Sequence, residues 1–300
     1  MIETKNLSKT FGTIKAIDHI NIQIPDGCIF GLAGTNGAGK STFLRLLSGV
    51  LKQDEGEIFI DGNPVYENDV IKQDIIFMPD TAYFFRNATG ESMASWYETC
   101  YPAFDREQFL TLAEKLSLDV KRKIGTMSKG MKRQMSFLLG LCAKTRYLFC
   151  DEVFDGLDPV VRQAVKSILA YEITEREFTP IIASHNLREL EDICDHIGIL
   201  YEGGVLLSKE VEEMKLKIHK VQMVLQNEIL EEQLLKELDV VSVQKRLSLT
   251  TMIVRGEEEE IMEKINSRFP VFAEIIPLTL EEIFISETEV AGYDIKNLFS

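Results

Sequence analysis

An α/β protein built on a buried parallel sheet, followed by a small α+β unit, is the fold class the sequence predicts, and three observations predict it. The runs YLFCDE (147–152) and TPIIASH (179–185) are apolar and stop abruptly in polar residues, as buried parallel strands do when their carboxyl ends carry chemistry. An apolar run from Ile29 to Ala33 gives way to a glycine-rich loop and then, from Lys40, to helical spacing. Beyond Val211 strands and helices alternate in the order βαββαβ, the signature of a ferredoxin-like unit.

Element by element, the first 30 residues read as two or three short strands feeding the glycine-rich loop. STFLRLLSGVL is helical, GEIFIDGNPV is a strand and turn broken at Asp61-Gly62, and DIIFMPD is a buried strand ending at Pro79. From about Ala88 to Leu118 apolar groups recur at helical spacing (MASWYETCYPAF, REQFLTLAEKLSL), which predicts a helical insertion spanning about 86–140. In the tail the spacing predicts strands over 220–227, 240–246, 248–255 and 271–277, helices over 229–238 and 257–268, and a last short helix LEEIFISET. The expected division is therefore 1–210 and 211–300.

The 300-residue chain is 45% hydrophobic, enough to bury a sizeable core in about two domains. Its net charge of −15 argues against nucleic acid as a partner, because such binders need a basic face that releases counterions. Residues 211–300 carry 10 Lys and Arg against 18 Asp and Glu, so more than half of the acidity lies in the tail; EEEE at 257–260 reads as the acid-enriched start of a solvated helix. No apolar run approaches the ~20 residues of a membrane span, so a membrane role is expected through a partner. MIETKNLSKT lacks the charged start and apolar core of a signal peptide, which sets residence in the cytosol as the expectation. Cys28, Cys100, Cys142, Cys150 and Cys194 have no CxxC spacing and read as reduced thiols, mostly in the core.

GTNGAGKST, Gly34 to Thr42, satisfies G-x-x-x-x-G-K-[ST] in full, with a strand before it and a helix after it. Glycines at 34, 37 and 39 let backbone N–H groups curl round phosphate oxygens, with Thr35, Asn36 and Ala38 between them. Lys40 supplies a point charge for the β and γ phosphates, and Ser41 a hydroxyl for Mg²⁺. At the end of YLFCDE, Asp151 is placed for the metal and Glu152 to orient and deprotonate a water. His185 ends ASH by the same design. Taken alone it reads as structural more often than functional; with a P-loop and paired acids upstream the functional reading prevails.

The order Phe11, GTNGAGKST, MSKGM, YLFCDE, GLD and ASH resembles the ATP-binding subunit of an ABC transporter over about residues 1–210. CYPAFD, SKGM and LEEIFI further resemble bacterial bacitracin-type and related antibiotic-export or resistance ATPases. The resemblance implies a P-loop NTPase (RecA-like) core with an N-terminal antiparallel β subdomain. It also implies that Phe11 stacks on adenine, and that Ser128 and Gly130 face the γ-phosphate held by a second subunit. Asp158 is implied to lie in the segment crossing between the two sites, Glu152 to be the general base, and His185 to contact the γ-phosphate. Two departures stand out. Asp80 replaces a family glutamine, keeping an oxygen for Mg²⁺ or water but shortening the reach towards the membrane partner. Lys129 and Met131 replace a glycine and a glutamine of the common signature, while Ser128 and Gly130 survive.

The expected activity is ATP hydrolysis in a homodimer or heterodimer, using ATP and Mg²⁺, that drives a separate transmembrane permease from the inner face of the cell membrane. An exporter of antibiotic, peptide or lipid-like compounds is the expected transporter. Three other readings stand beside it. A P-loop kinase explains the P-loop but not Ser128, Gly130 or the Asp151-Glu152-His185 set. A soluble ABC ATPase without a permease usually carries two cassettes or a long coiled coil, whereas this chain has one P-loop and 111 positions from Lys40 to Asp151. A non-catalytic regulatory module sits poorly with Glu152 and His185. For the tail, regulatory and purely structural roles are equally expected.

Overall fold

The computed structural model describes residues 1–290, except the side chains of 206, 215, 216, 228 and 286–290. The ends of the 211–300 unit and of its acidic count therefore lie outside the described residues. By its contacts the chain divides into two compact units, Met1–Ser208 and Lys209–Ser300.

The first unit opens with β1 (Ile2–Phe11) and β2 (Ile14–Ile24), paired antiparallel through the Gly12 turn. With β4 (Glu55–Ile60) and β5 (Asn63–Pro64) they form a four-stranded antiparallel sheet in the order β2-β1-β4-β5. Alternation sets which side is buried: Ile20, Ile22 and Ile24 of β2 and Ile58 and Ile60 of β4 are in the core, while polar residues alternate with them. The second sheet has six strands in the order β10-β9-β3-β8-β7-β6. It comprises β3 (Phe30–Gly34), β6 (Ile75–Met78), β7 (Tyr147–Asp151), β8 (Thr179–Ser184), β9 (His196–Tyr201) and β10 (Gly204–Glu210). β3 pairs in parallel with β8 and β9, and β7 with β6 and β8.

All five residues of β3 and of β7 are buried, as are all six of β8, which explains why they read as continuous apolar runs. One core joins the two sheets, with Ile2, Leu7, Phe43, Leu44, Leu47, Tyr147 and Phe149 all at or near zero exposure. At roughly 1.5–3 kcal/mol per fully buried large apolar side chain, this cluster dominates the stability of the unit. The carboxyl ends of β3, β8, β7 and β6 lie side by side, so the turns that follow them form one rim.

Helices cover the sheet: α1 (Lys40–Leu47), α2 (Asp69–Gln73), α6 (Pro159–Glu175) and α7 (Leu187–Glu191). The helical insertion is α3 (Gly90–Cys100), α4 (Arg106–Lys115) and α5 (Lys129–Cys142). The helical run expected through CYPAF is broken: Tyr101 leaves the helical region at the end of α3, and Asp105 caps α4 by accepting from the Gln108 N–H at 2.8 Å.

The second unit contains α8 (Val211–Lys217), β11 (Ile218–Val224), α9 (Glu228–Glu237), β12 (Asp239–Arg246), β13 (Leu249–Arg255), α10 (Glu258–Asn266), β14 (Phe272–Ile276) and α11 (Leu280–Val290). Its sheet runs β12-β13-β11-β14 with every neighbour antiparallel, the ferredoxin-like order. It has its own core of Val221, Met223, Leu234, Leu238, Met252, Val254, Ile261 and Ile265. α8 is an addition to the expected pattern, in which the unit's first strand began at 220. Among the described residues no helix is long and apolar enough to cross a membrane.

Candidate nucleotide site

β3 leads directly into the loop 35–39 and α1, and two glycines fix that path. A Cβ on Gly34 would lie 2.5 Å from the Leu200 carbonyl oxygen, so only glycine lets the strand end there. Gly39 has φ 103° and a Cβ there would sit 2.3 Å from the Ala16 carbonyl oxygen. Gly39 also occupies the cap position of α1 with no side chain to accept from the first turn, and that turn has no acidic residue. The N–H groups at the start of α1 are thereby kept for an anion. Thr35, Asn36 and Gly37 are exposed along the loop, Ala38 is buried beneath it, and Ser41 and Thr42 follow Lys40 in the first turn.

Lys40 is only 6% exposed. Its Nζ donates to the carbonyls of Gly34 (2.7 Å) and Thr35 (3.2 Å) and lies 3.8 Å from Glu152 Oε1. Burial pulls the Lys40 ammonium below its ordinary pKa, opposed by the charges of Glu152 and Asp151. Ser41 Oγ donates to Asp151 Oδ1 at 3.0 Å, while Asp151 Oδ2 is buried with no partner. Asp151 is 2% exposed, and burial pushes its carboxyl above the usual range; the Ser41 bond opposes this, and the charges of Asp80 and Glu152 add to it. The Ser41 hydroxyl and the unpaired Asp151 Oδ2 are hard oxygen donors of the kind Mg²⁺ takes. Among the described residues no group of three or more His, Cys, Asp or Glu side chains forms a metal cage, so phosphate oxygens and water must complete such a shell.

Pairing of β7 with β8 sets Asp151 opposite Ala183 and so carries Glu152 and His185 to neighbouring positions on the rim. His185 Nδ1 lies 2.9 Å from Glu152 Oε2, with the imidazole half exposed. Glu152 itself has φ 53°, a left-handed conformation that costs a non-glycine residue about 1–2 kcal/mol. Its N–H donates to the Ala183 carbonyl at 2.9 Å, and its own carbonyl accepts from the Asp155 N–H at 3.1 Å. Asp80 lies past the end of β6; its Oδ1 accepts from the Thr81 N–H at 2.7 Å rather than reaching a second segment.

The chain is 30% identical to the ABC transporter ATP-binding protein YtrB of Bacillus subtilis (strain 168), over 96% of this chain and 98% of that protein. A family model described as ABC transporter matches residues 17–155. The chain belongs to the ABC transporter ATP-binding family. It is the ATPase subunit of such a system, which excludes the kinase and non-catalytic readings. The bacitracin transport ATP-binding protein BcrA of Bacillus licheniformis is also 30% identical, over 73% of each chain. The chain is also similar in fold to a solved cassette, the dimeric post-hydrolysis state of MJ0796 bound to ADP and Pi. That match has a TM-score of 0.64 at 22% identity and covers 70% of this chain and 99% of that one.

The remaining motif positions of this ABC ATP-binding subunit lie elsewhere in the sequence. Phe11 ends β1, 47% exposed, with Lys9 Nζ 5.6 Å from the ring centroid. Ser128 caps α5, its Oγ accepting from the Met131 N–H at 3.2 Å; Lys129 pairs with Asp155 at 3.2 Å, and a Cβ on Gly130 would lie 3.0 Å from the Gly156 carbonyl oxygen. Among the described residues no hydrogen bond or ion pair joins 128–131 to 34–42. Asp158 caps α6, its Oδ1 accepting from the Val160 and Val161 N–H groups, both at 3.0 Å. Arg133, which motif reading passes over, is 9% exposed at its side chain and bonds to the backbone at Asp80, Glu152 and Asp155. Its signal was present in the sequence: Arg133 precedes Phe137 by four residues and so lies on the apolar face of its helix.

Proposed function

We propose that this ATPase subunit works as a pair, two copies or this chain with a homologous one, closing on two ATP molecules to drive a separate membrane permease. In this reading residues 1–210 are the ATP-binding domain and 211–300 an accessory domain. The subunit lies peripherally at the inner face of the cell membrane. The observation that carries the reading is the assembly of Lys40, Ser41, Asp151, Glu152 and His185 on one rim while Ser128 and Gly130 remain uncommitted to it. A helix start capped by Ser128 favours a phosphate, and the phosphate it faces belongs to the other subunit.

Lys40 and the loop N–H groups hold the β and γ phosphates, and Phe11 offers a flat apolar face to the adenine. Ser41 and Asp151 would hold Mg²⁺, which would supply positive charge against the phosphate oxygens. Asp80 would be the third residue of that shell. Glu152 accepts the proton of the attacking water, and His185 both orients the Glu152 carboxylate and reaches the γ-phosphate. Lys129 and Met131 flank the Ser128-Gly130 contact, and Asp158 lies at the start of the helix beyond the crossing loop. The similarity to BcrA, a bacitracin transport protein, supports export of antibiotic, peptide or lipid-like compounds. Glu152→Gln tests the pairing: with ATP it elutes from gel filtration as a dimer, without ATP as a monomer. Elution as a monomer under saturating ATP contradicts it.

A further inference from the structure

The Arg133 guanidinium ties α5 to two segments of the rim, the one that follows β6 and the one that follows β7. Nη1 donates to the carbonyls of Glu152 and, at 2.8 Å, of Asp155; Nη2 donates to the carbonyl of Asp80. A fourth link is electrostatic, with Nη1 3.6 Å from Asp155 Oδ2. Arg133 stands on the second turn of α5, the helix that Ser128 caps, and Lys129 of the same helix holds the same Asp155. The carbonyls of Asp80 and Glu152 are taken by different guanidinium nitrogens, a spread at fixed angles that a single ammonium nitrogen does not reproduce.

We propose that Arg133 is a positioning residue for ATP hydrolysis. It holds Glu152 in its left-handed conformation and so aims the Glu152 carboxylate at the reacting water. The inference rests on the reading of Glu152 as general base. Glu152 at φ 53° is kept there by bonds at both ends of its peptide units: its N–H to Ala183, its carbonyl to Asp155 N–H and to Arg133. The first two are backbone bonds common to any chain following this path. The third comes from the helix that carries Ser128, so the helix addressing one ATP fixes the base that acts on the other. Loss of the guanidinium frees the Glu152 peptide to relax, and displacement of a catalytic group by about 1 Å costs on the order of 10²-fold in rate.

The test compares ATP turnover by the full chain with Arg133→Met and Arg133→Lys. Both are expected to lower kcat, about 10- to 100-fold for Met and at least fivefold for Lys, with KM for ATP within threefold of the parent. Because Arg133 acts through Glu152, adding Arg133→Met to Glu152→Gln is expected to slow the residual turnover no further. A kcat within threefold of the parent in either folded variant overturns the proposal, as does a further tenfold fall in the double variant. Failure of both variants to fold assigns Arg133 to stability and overturns it too. Glu152→Gln alone separates the two levels. If it keeps the parent's turnover, the reading of Glu152 as base has failed; if only a residual turnover is left and the Arg133 variants are not impaired, only the positioning role has.

Discussion

Nδ1 of His185 sits 2.9 Å from Oε2 of Glu152, while the other oxygen of that carboxylate lies 3.8 Å from the Lys40 ammonium. The acid is thus held between a cation fixed by the P-loop and an imidazole fixed by the end of β8. His185→Ala removes one of the two holds and leaves the phosphate cradle in place. We expect kcat to fall about 10²-fold with the ATP Kd within threefold, read by phosphate release and nucleotide-binding fluorescence.

Asp151 makes the metal-site assignment measurable as stability. Burial raises its folded-state pKa above the ordinary carboxylate value, so the protonated form is the one the fold prefers. Stability contributed by that proton is complete below about pH 4 and is lost as pH rises through the raised pKa. Without nucleotide or Mg²⁺, Asp151→Asn is therefore expected to match the parent in thermal midpoint near pH 4 and to exceed it by a few degrees at pH 7. With ATP and Mg²⁺ the order reverses, because only the parent gains the metal. Equal midpoints at pH 7 in the absence of both would contradict the unpaired Oδ2 as a source of strain.

The insertion and the core are linked at Glu172 on α6. Its carboxylate accepts from Arg176 at 2.6 Å and from Lys144 at 3.1 Å, and Gln108 of α4 donates to it as well. Burial alone pushes the Glu172 carboxyl up, and the bonds from Arg176, Gln108 and Lys144 outweigh it and hold it below the usual range. Stability from this lowered pKa is present above about pH 4.3 and is lost as pH falls. Glu172→Ala strands two cations beside buried surface and should cost about 3 kcal/mol at pH 7 by urea unfolding, with the difference shrinking towards pH 3.

Gly39 gives the sharpest steric prediction. Alanine there must occupy φ 103° and place a methyl 2.3 Å from the Ala16 carbonyl oxygen, so the loop has to move. Gly39→Ala is expected to weaken ATP binding more than tenfold by calorimetry. Gly37→Ala, with open space around its Cβ, should weaken it less.

These residues also show what the sequence discloses and where it stops. The P-loop was legible because a wholly buried strand, a loop of permissive residues and an amphipathic helix leave three distinct signals in succession over 30–47. The ends of β7 and β8 were legible for a similar reason: Asp151 and His185 each interrupt an apolar run. The His185–Glu152 contact was not, because it follows from β7 and β8 being adjacent, a tertiary fact with no local trace. β9 and β10 and helices α6 and α7 escaped motif reading because they carry none of the chemistry. α8 ran into β11 without a break residue, since Lys217 and Ile218 suit either state. The interruption at Tyr101–Asp105 was masked by aromatic residues that continue the apolar spacing, although Pro102 marks it.

In the proposed dimer, hydrolysis occurs only where Ser128 of one subunit meets the ATP held by Lys40 of another. ATP turnover per chain, measured across a dilution series with light scattering on the same samples, tests it most directly. The rate per chain is expected to fall as the ATP-bound dimer dissociates and to reach background when the chain is monomeric. A monomer that hydrolyses ATP at the undiminished rate would contradict it.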